Sequence, residues 1–128
     1  MGRRMMVAVG LGFLLASAAS AAPLEDTLAK MSPEFRAHQV CILRGLTAVR
    51  QEPALRKADR MKTSIFRPAV VEGTKLTASG GAVRAAGHWY ALSFTCDLSG
   101  DWKKATSFSF VLGREIPQGD WERLGLWR

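Results

Sequence analysis

Between Pro33 and Arg50 the apolar residues Phe35, Ile42, Leu46 and Val49 recur at helical spacing, joined by Val40, Cys41 and Leu43. Arg36, Gln39, Arg44 and Arg50 take the wetter side. Ser32-Pro33-Glu34 is a good start for this helix. A serine can cap free amides, proline suits the first turn, and an acid favours the positive end of the dipole. Gly45 costs up to about 1 kcal/mol of helix propensity relative to alanine, so its presence suggests close approach by a strand or another helix. Before the helix, Pro23 to Lys30 reads as a polar lead-in with a short helical turn through Leu24 and Leu28. After it, Glu52-Pro53 restarts a shorter helix through Leu55, Ala58 and Met61, ending around Lys62.

The period changes near Phe66-Arg67-Pro68. Short apolar pieces follow, Ala69–Val71, Lys75–Ala78 and Ala82–Ala85, separated by Glu72-Gly73 and by Ser79-Gly80-Gly81, which reads as a turn. His88 to Cys96 alternates as a strand does, with Tyr90, Leu92, Phe94 and Cys96 on one face and Trp89, Ala91, Ser93 and Thr95 on the other. A polar turn, Asp97 to Lys103, leads to a second alternating strand, Ala105–Leu112, with Phe108, Phe110 and Leu112 on one face. In the tail, one helical turn from Gln118 to Leu124 can fold back over the sheet edge. The expected class is α+β: helices over 33–62, strands over 69–113 and a tail over 114–128. The N-terminal helical segment packs on an antiparallel meander as one globular domain, residues 33–128, preceded by the lead-in 22–32.

The first residues bear on compartment. Arg3 and Arg4 precede an apolar run from Met5 to Ala16, and small residues follow from Ser17 to Ala22, with no acid before Glu25. That order is a secretory signal peptide. The run is shorter than the roughly 20 apolar residues a membrane span needs. Cleavage after Ala21 places Ala19 and Ala21 at the small-residue positions, so residues 1–21 are expected to be removed. No transmembrane anchor then remains, and the mature protein is periplasmic or secreted. The adjacent arginines leave open the general secretory and twin-arginine routes. About 107 residues remain, enough for one domain with one core. The full chain carries +7; without Arg3 and Arg4 the mature charge is about +5. A basic exported protein meets anionic envelope polymers and envelope proteins before nucleic acid.

Two cysteines remain, Cys41 and Cys96. In an oxidising compartment their pairing into a disulfide is expected, stapling the helix to the first long strand. Two free thiols, a redox-active pair and an intermolecular bridge are the alternatives.

Several segments occur in a familiar order: Ile65-Phe66-Arg67-Pro68, Gly87-His88-Trp89-Tyr90-Ala91-Leu92-Ser93-Phe94-Thr95-Cys96, Ser107-Phe108-Ser109-Phe110, Gly113-Arg114-Glu115-Ile116-Pro117 and Trp121-Glu122. With Cys41, this set resembles the exported bacterial family catalogued as domain of unknown function 930, over roughly Pro33 to Trp127. The resemblance implies an envelope protein without an assigned activity. It supplies no catalytic residues.

Candidate chemistry is sparse. His38 and Cys41 share a helix face, but a Cys–His nucleophile or a metal pair needs Cys41 free. His88 would need an oriented partner to act as acid or base, and Asp97 and Asp101 lie at the far end of its strand. No catalytic residue, metal site or cofactor is assigned. The basic stretch Arg50, Arg56, Lys57, Arg60, Lys62 and Arg67 faces only Glu52 and Asp59. It reads either as a solvated helix face with Asp59 pairing locally or as a stripe for phosphate, an anionic glycan or an acidic partner. Trp89, with Arg84 nearby, offers a second patch for sugar stacking or protein contact, unless it packs beneath the tail. The expectation is a non-catalytic envelope module that binds a macromolecule through Arg56, Lys57, Arg60, Lys62, Arg84, His88 and Trp89. The alternative is a small enzyme, or enzyme accessory, acting on envelope polymers. Protein recovered from the envelope should begin near Ala22; an intact mass that retains residues 1–21 would remove the basis for export.

Overall fold

The computed structural model describes residues 21–128. The expected signal lies outside this range except for its last residue, Ala21. Helix α1, Ala21–Lys30, is a full ten-residue helix where a single turn was expected. Alanine and leucine favour helix, and Leu28 packs against the main core. Helix α2, Pro33–Val49, begins as expected with Pro33 in its first turn. Ser32 makes no side-chain cap; its carbonyl accepts from the Arg36 amide at 2.9 Å.

The buried side of α2 is Ala37, Val40, Cys41, Gly45 and Val49. Phe35 and Leu43, expected in the apolar stripe, stand exposed. Arg36, expected on the wet side, is buried. Its Nη2 donates to the Asp101 carbonyl at 3.1 Å and its Nε to the Trp102 carbonyl at 3.4 Å. Burying a guanidinium is tolerable when carbonyls receive its protons, and here the contact ties α2 to the turn after residue 98. Gly45 does allow the close approach expected of it. A Cβ there would lie 2.7 Å from the Phe108 ring and 2.9 Å from Met61 Sδ. The helix propensity gained by alanine would be outweighed by the roughly 1–3 kcal/mol that overpacking costs.

The second predicted helix does not form. Pro53–Leu55 is one 3-10 turn, and Ala58–Lys62 is strand β1. Its burial alternates about Ala58 and Met61, which enter the core while Asp59 and Arg60 stay outside. Strands β2 (Val70–Glu72), β3 (Lys75–Ala85), β4 (His88–Leu98) and β5 (Ala105–Glu115) complete a five-stranded antiparallel sheet, ordered β1-β3-β4-β5 with β2 also on β3. Since β4 takes one side of β3 throughout, β1 and β2 share the other, β1 on Ala82–Ala85 and β2 on Lys75–Thr77.

Ser79-Gly80-Gly81, expected as a turn, is instead a bulge within the eleven-residue β3. The Gly80 carbonyl accepts from the Ile65 and Phe66 amides, both at 2.8 Å, and a Cβ on Gly80 would meet the Arg67 nitrogen at 2.5 Å. Glycine here admits another stretch of backbone and does not reverse the chain.

The sheet has two unlike faces. Leu76, Ala78, Val83, Leu92, Phe94 and Cys96 form the main core with α2. On the opposite face, Ala82 and Trp89 join Ile116, Trp121 and Leu126 in a second cluster. The tail supplies the cover: a 3-10 turn at Gln118–Asp120 runs into the short helix α3, Trp121–Leu124.

Cys41 and Cys96 are bonded, with Cα atoms 6.0 Å apart and a sequence separation of 55. Closing a loop of this size removes roughly 4 kcal/mol of unfolded-state freedom in the chain-entropy model. Replacing both cysteines by alanine should therefore lower the melting temperature markedly. Quantitative thiol labelling of the native, non-reduced protein should find neither cysteine reactive.

Candidate binding surface

Arg60 and Lys62 lie in register with Arg84 and Ala82 of β3, which places both cations on the face covered by the tail. Met61 between them points into the main core. The expected helical stripe is thus an edge strand whose alternation sends two cations to one side. Arg56 and Lys57 precede it in an exposed turn. Arg50 is tied down, its Nε donating to the Ala58 carbonyl at 2.9 Å.

The cations around the tail form a layered arrangement. Asp59 accepts two bonds from Arg84, from Nε at 2.9 Å and Nη2 at 2.8 Å. The acid therefore pairs 25 residues away and not along a helix of its own, as the local reading had it. The Arg84 guanidinium carbon lies 5.8 Å from the centre of the Trp89 ring. Trp89 meets Trp127 edge to face, with centroids 5.8 Å apart, and donates from Nε1 to the Trp127 carbonyl at 2.6 Å. Lys62 Nζ sits 4.3 Å above the Trp127 ring and donates to the Gly125 carbonyl at 2.9 Å. Cation–ring contacts of this kind contribute about 0.5–1 kcal/mol at exposed sites.

Two expected surface residues are therefore interior. Trp89 is fully buried, and the Arg84 side chain is 11% exposed. The alternative in which Trp89 packs beneath the tail is the one that forms. Strand alternation distinguishes two faces, but it does not show that a distant tail covers one of them. The exposed aromatic beside Lys62 is Trp127, at 47%, a residue of the tail over 114–128 to which no role was assigned above. Lys62 is its cationic neighbour; Arg60, whose Nη1 donates to the Asp59 carbonyl at 2.8 Å, shares the strand face of Lys62, and Arg56 and Lys57 lie upstream in the chain.

His88 stands apart from these cations by its bonding. Its Nδ1 meets Glu115 Oε1 at 2.5 Å, with the two side chains 59% and 51% exposed. The partner is Glu115, across from β4 on β5, and not Asp97 or Asp101. The shallow cleft beside the pair is lined by Ile116, Pro117, Gln118, Trp121 and Arg128, with no hydroxyl or thiol among them. His38 bonds through Nδ1 to Thr63 Oγ1 at 2.9 Å and so pins α2 to the end of β1. Its neighbour Cys41 is in the disulfide and is neither nucleophile nor ligand. Among the described residues no group of three His, Cys, Asp or Glu side chains is placed to hold a metal ion.

Residues 28–126 match the family model described as Domain of Unknown Function (DUF930). The chain belongs to this family. No curated protein and no solved structure matches it. The DUF930 match spans both halves of the arrangement above, the basic strand β1 and the tail as far as Leu126, and ends one residue before Trp127.

The Arg84 bonds, together with its positive charge, hold the Asp59 carboxyl below the usual carboxylate range. A depressed folded-state pKa adds stability above the unfolded value of about 3.9 and loses it as pH falls through the folded value. Asp59→Asn should therefore lower the melting temperature at pH 7, modestly because the carboxylate is half-exposed. In paired thermal melts the gap from wild type should close as pH falls below about 4.

Proposed function

We propose that this DUF930 chain is a non-catalytic module, exported to the bacterial cell envelope, that holds an anionic envelope polymer on the basic patch from Arg56 to Lys62. One observation carries the reading. Arg60 and Lys62 are presented on one face of an edge strand, Lys62 against a half-exposed indole, while the nearby acid Asp59 is taken up by Arg84. Phosphate or carboxylate groups would meet Arg56, Lys57 and Arg60, and an apolar or sugar-ring stretch would lie against Trp127. The N-terminal signal pattern and the buried disulfide support export, since such bonds persist in oxidising compartments. Among the described residues no helix is long and apolar enough to cross a membrane.

Capture on immobilised polyphosphate, with neutral dextran as control, tests the reading. Lys57→Glu with Arg60→Glu should weaken capture at least tenfold, equivalent to about 1.4 kcal/mol. The matched pair Lys103→Glu and Lys104→Glu, in the turn between β4 and β5, should weaken it far less. Binding should also fall steeply with salt, because the screening length shrinks from about 10 Å at 0.1 M to about 3 Å at 1 M. Lys62 is left intact in these variants because it clasps the tail. Equal losses from both pairs, in variants with unchanged melting temperatures, would refute the patch.

A further inference from the structure

The two edges of the sheet are built differently. On one side stand β1 and β2, five and three residues long, with charges at Asp59, Arg60, Lys62 and Glu72, Pro68 between them and a bulge at Ala58/Arg60. Short strands, charges, proline and bulges are the means by which proteins keep an edge from pairing with another chain. On the other side stands β5, eleven residues long, with neither charge nor proline from Ala105 to Gly113. Its register against β4 is unbroken from Ser107 to Leu112, and bulges lie only beyond those ends. Among the described residues no backbone or side-chain group is hydrogen-bonded to its outer edge. Val111 on this strand is 69% exposed, the highest value among the exposed large hydrophobics.

We propose that β5 is an interface strand through which two copies of this chain pair antiparallel, making one continuous sheet. The strand is self-complementary, as a twofold contact requires. With the axis at Phe110, Phe110 meets its own copy, Phe108 meets Leu112 and Ser109 meets Val111. Like faces then continue one another, whereas a slip of one residue would turn the aromatic layer outward. The same register sets Arg114 opposite Thr106 and Glu115 opposite Ala105, so no like charges face each other across the pair.

Charge also favours a second copy at this edge. The order becomes β1-β3-β4-β5-β5-β4-β3-β1, with the two basic edges at the far ends. Seven strand spacings separate them by about 34 Å, several screening lengths at physiological salt. A contact at the β1 edge would instead bring the cations together. The pairing leaves both Trp127 patches on the same side of the doubled sheet, a geometry suited to holding one polymer at two points. The dimer itself does not depend on the polymer reading.

Sedimentation equilibrium of the disulfide-bonded protein without ligand, from low to high micromolar, should show twice the chain mass at the upper end. Val111→Lys should remain monomeric, with Ser109→Lys as a second variant should the first not fold. Val70→Lys, on the guarded edge, should dimerise like wild type. Amide exchange over residues 107–112 should slow with concentration in wild type and not in Val111→Lys. A monomer at every concentration would overturn the proposal. So would a dimer that persists in both Val111→Lys and Ser109→Lys with unchanged exchange over 107–112.

Discussion

The bond between Cys41 and Cys96 sets the arrangement on which the rest depends. It fixes a buried position of α2 against the C-terminal part of β4, and so decides which face of the sheet the helix covers. Cys96 shares that face with Leu92 and Phe94, while Phe108 reaches up to Gly45. With one face committed to the helix, the large Trp89 side chain on the other needs a different cover. The tail supplies it, closing with the indole bond from Trp89 to the last turn of the chain.

Cover and charge are then joined in one place. Lys62 holds the tail through Gly125 and Trp127, and Arg84 holds Asp59 while lying over Trp89. Part of the basic stretch is thus structural. Its exposed remainder, Arg56, Lys57 and Arg60, stays available at the same edge. A residue such as Lys62 belongs to both, so its loss would alter the fold and the surface together.

Elements whose evidence is local were legible in the sequence: α2 with its proline start, the alternation of β4 and β5, and the helical turn of the tail. The disulfide followed from having two cysteines in a chain whose N-terminal pattern reads as an export signal. Ala58–Lys62 was misread because alanine, arginine, methionine and lysine favour helix, and Ala58 and Met61 also sit three apart. The edge of β3 from Ala82 to Ala85 demanded a strand and overrode that propensity. Long-range partners were invisible for the same reason. Glu115 reaches His88, and Arg84 reaches Asp59, only through sheet register and its bulges. The exposure of Trp127 and the burial of Trp89 depend on where the tail lands, which no periodicity encodes.

Three of the four tryptophans, Trp89, Trp121 and Trp127, lie in or against the second cluster; Trp102 bonds instead to the Gly73 carbonyl. The edge-to-face pair of Trp89 and Trp127 couples two indole chromophores at 5.8 Å, with an ammonium group above one of them. The ultraviolet spectroscopy of this protein is consequently weighted toward a single event, the seating of the tail on the sheet. Light absorbed and emitted by the native chain reports on that clasp more directly than on the helix-covered core, where phenylalanine supplies most of the aromatic rings.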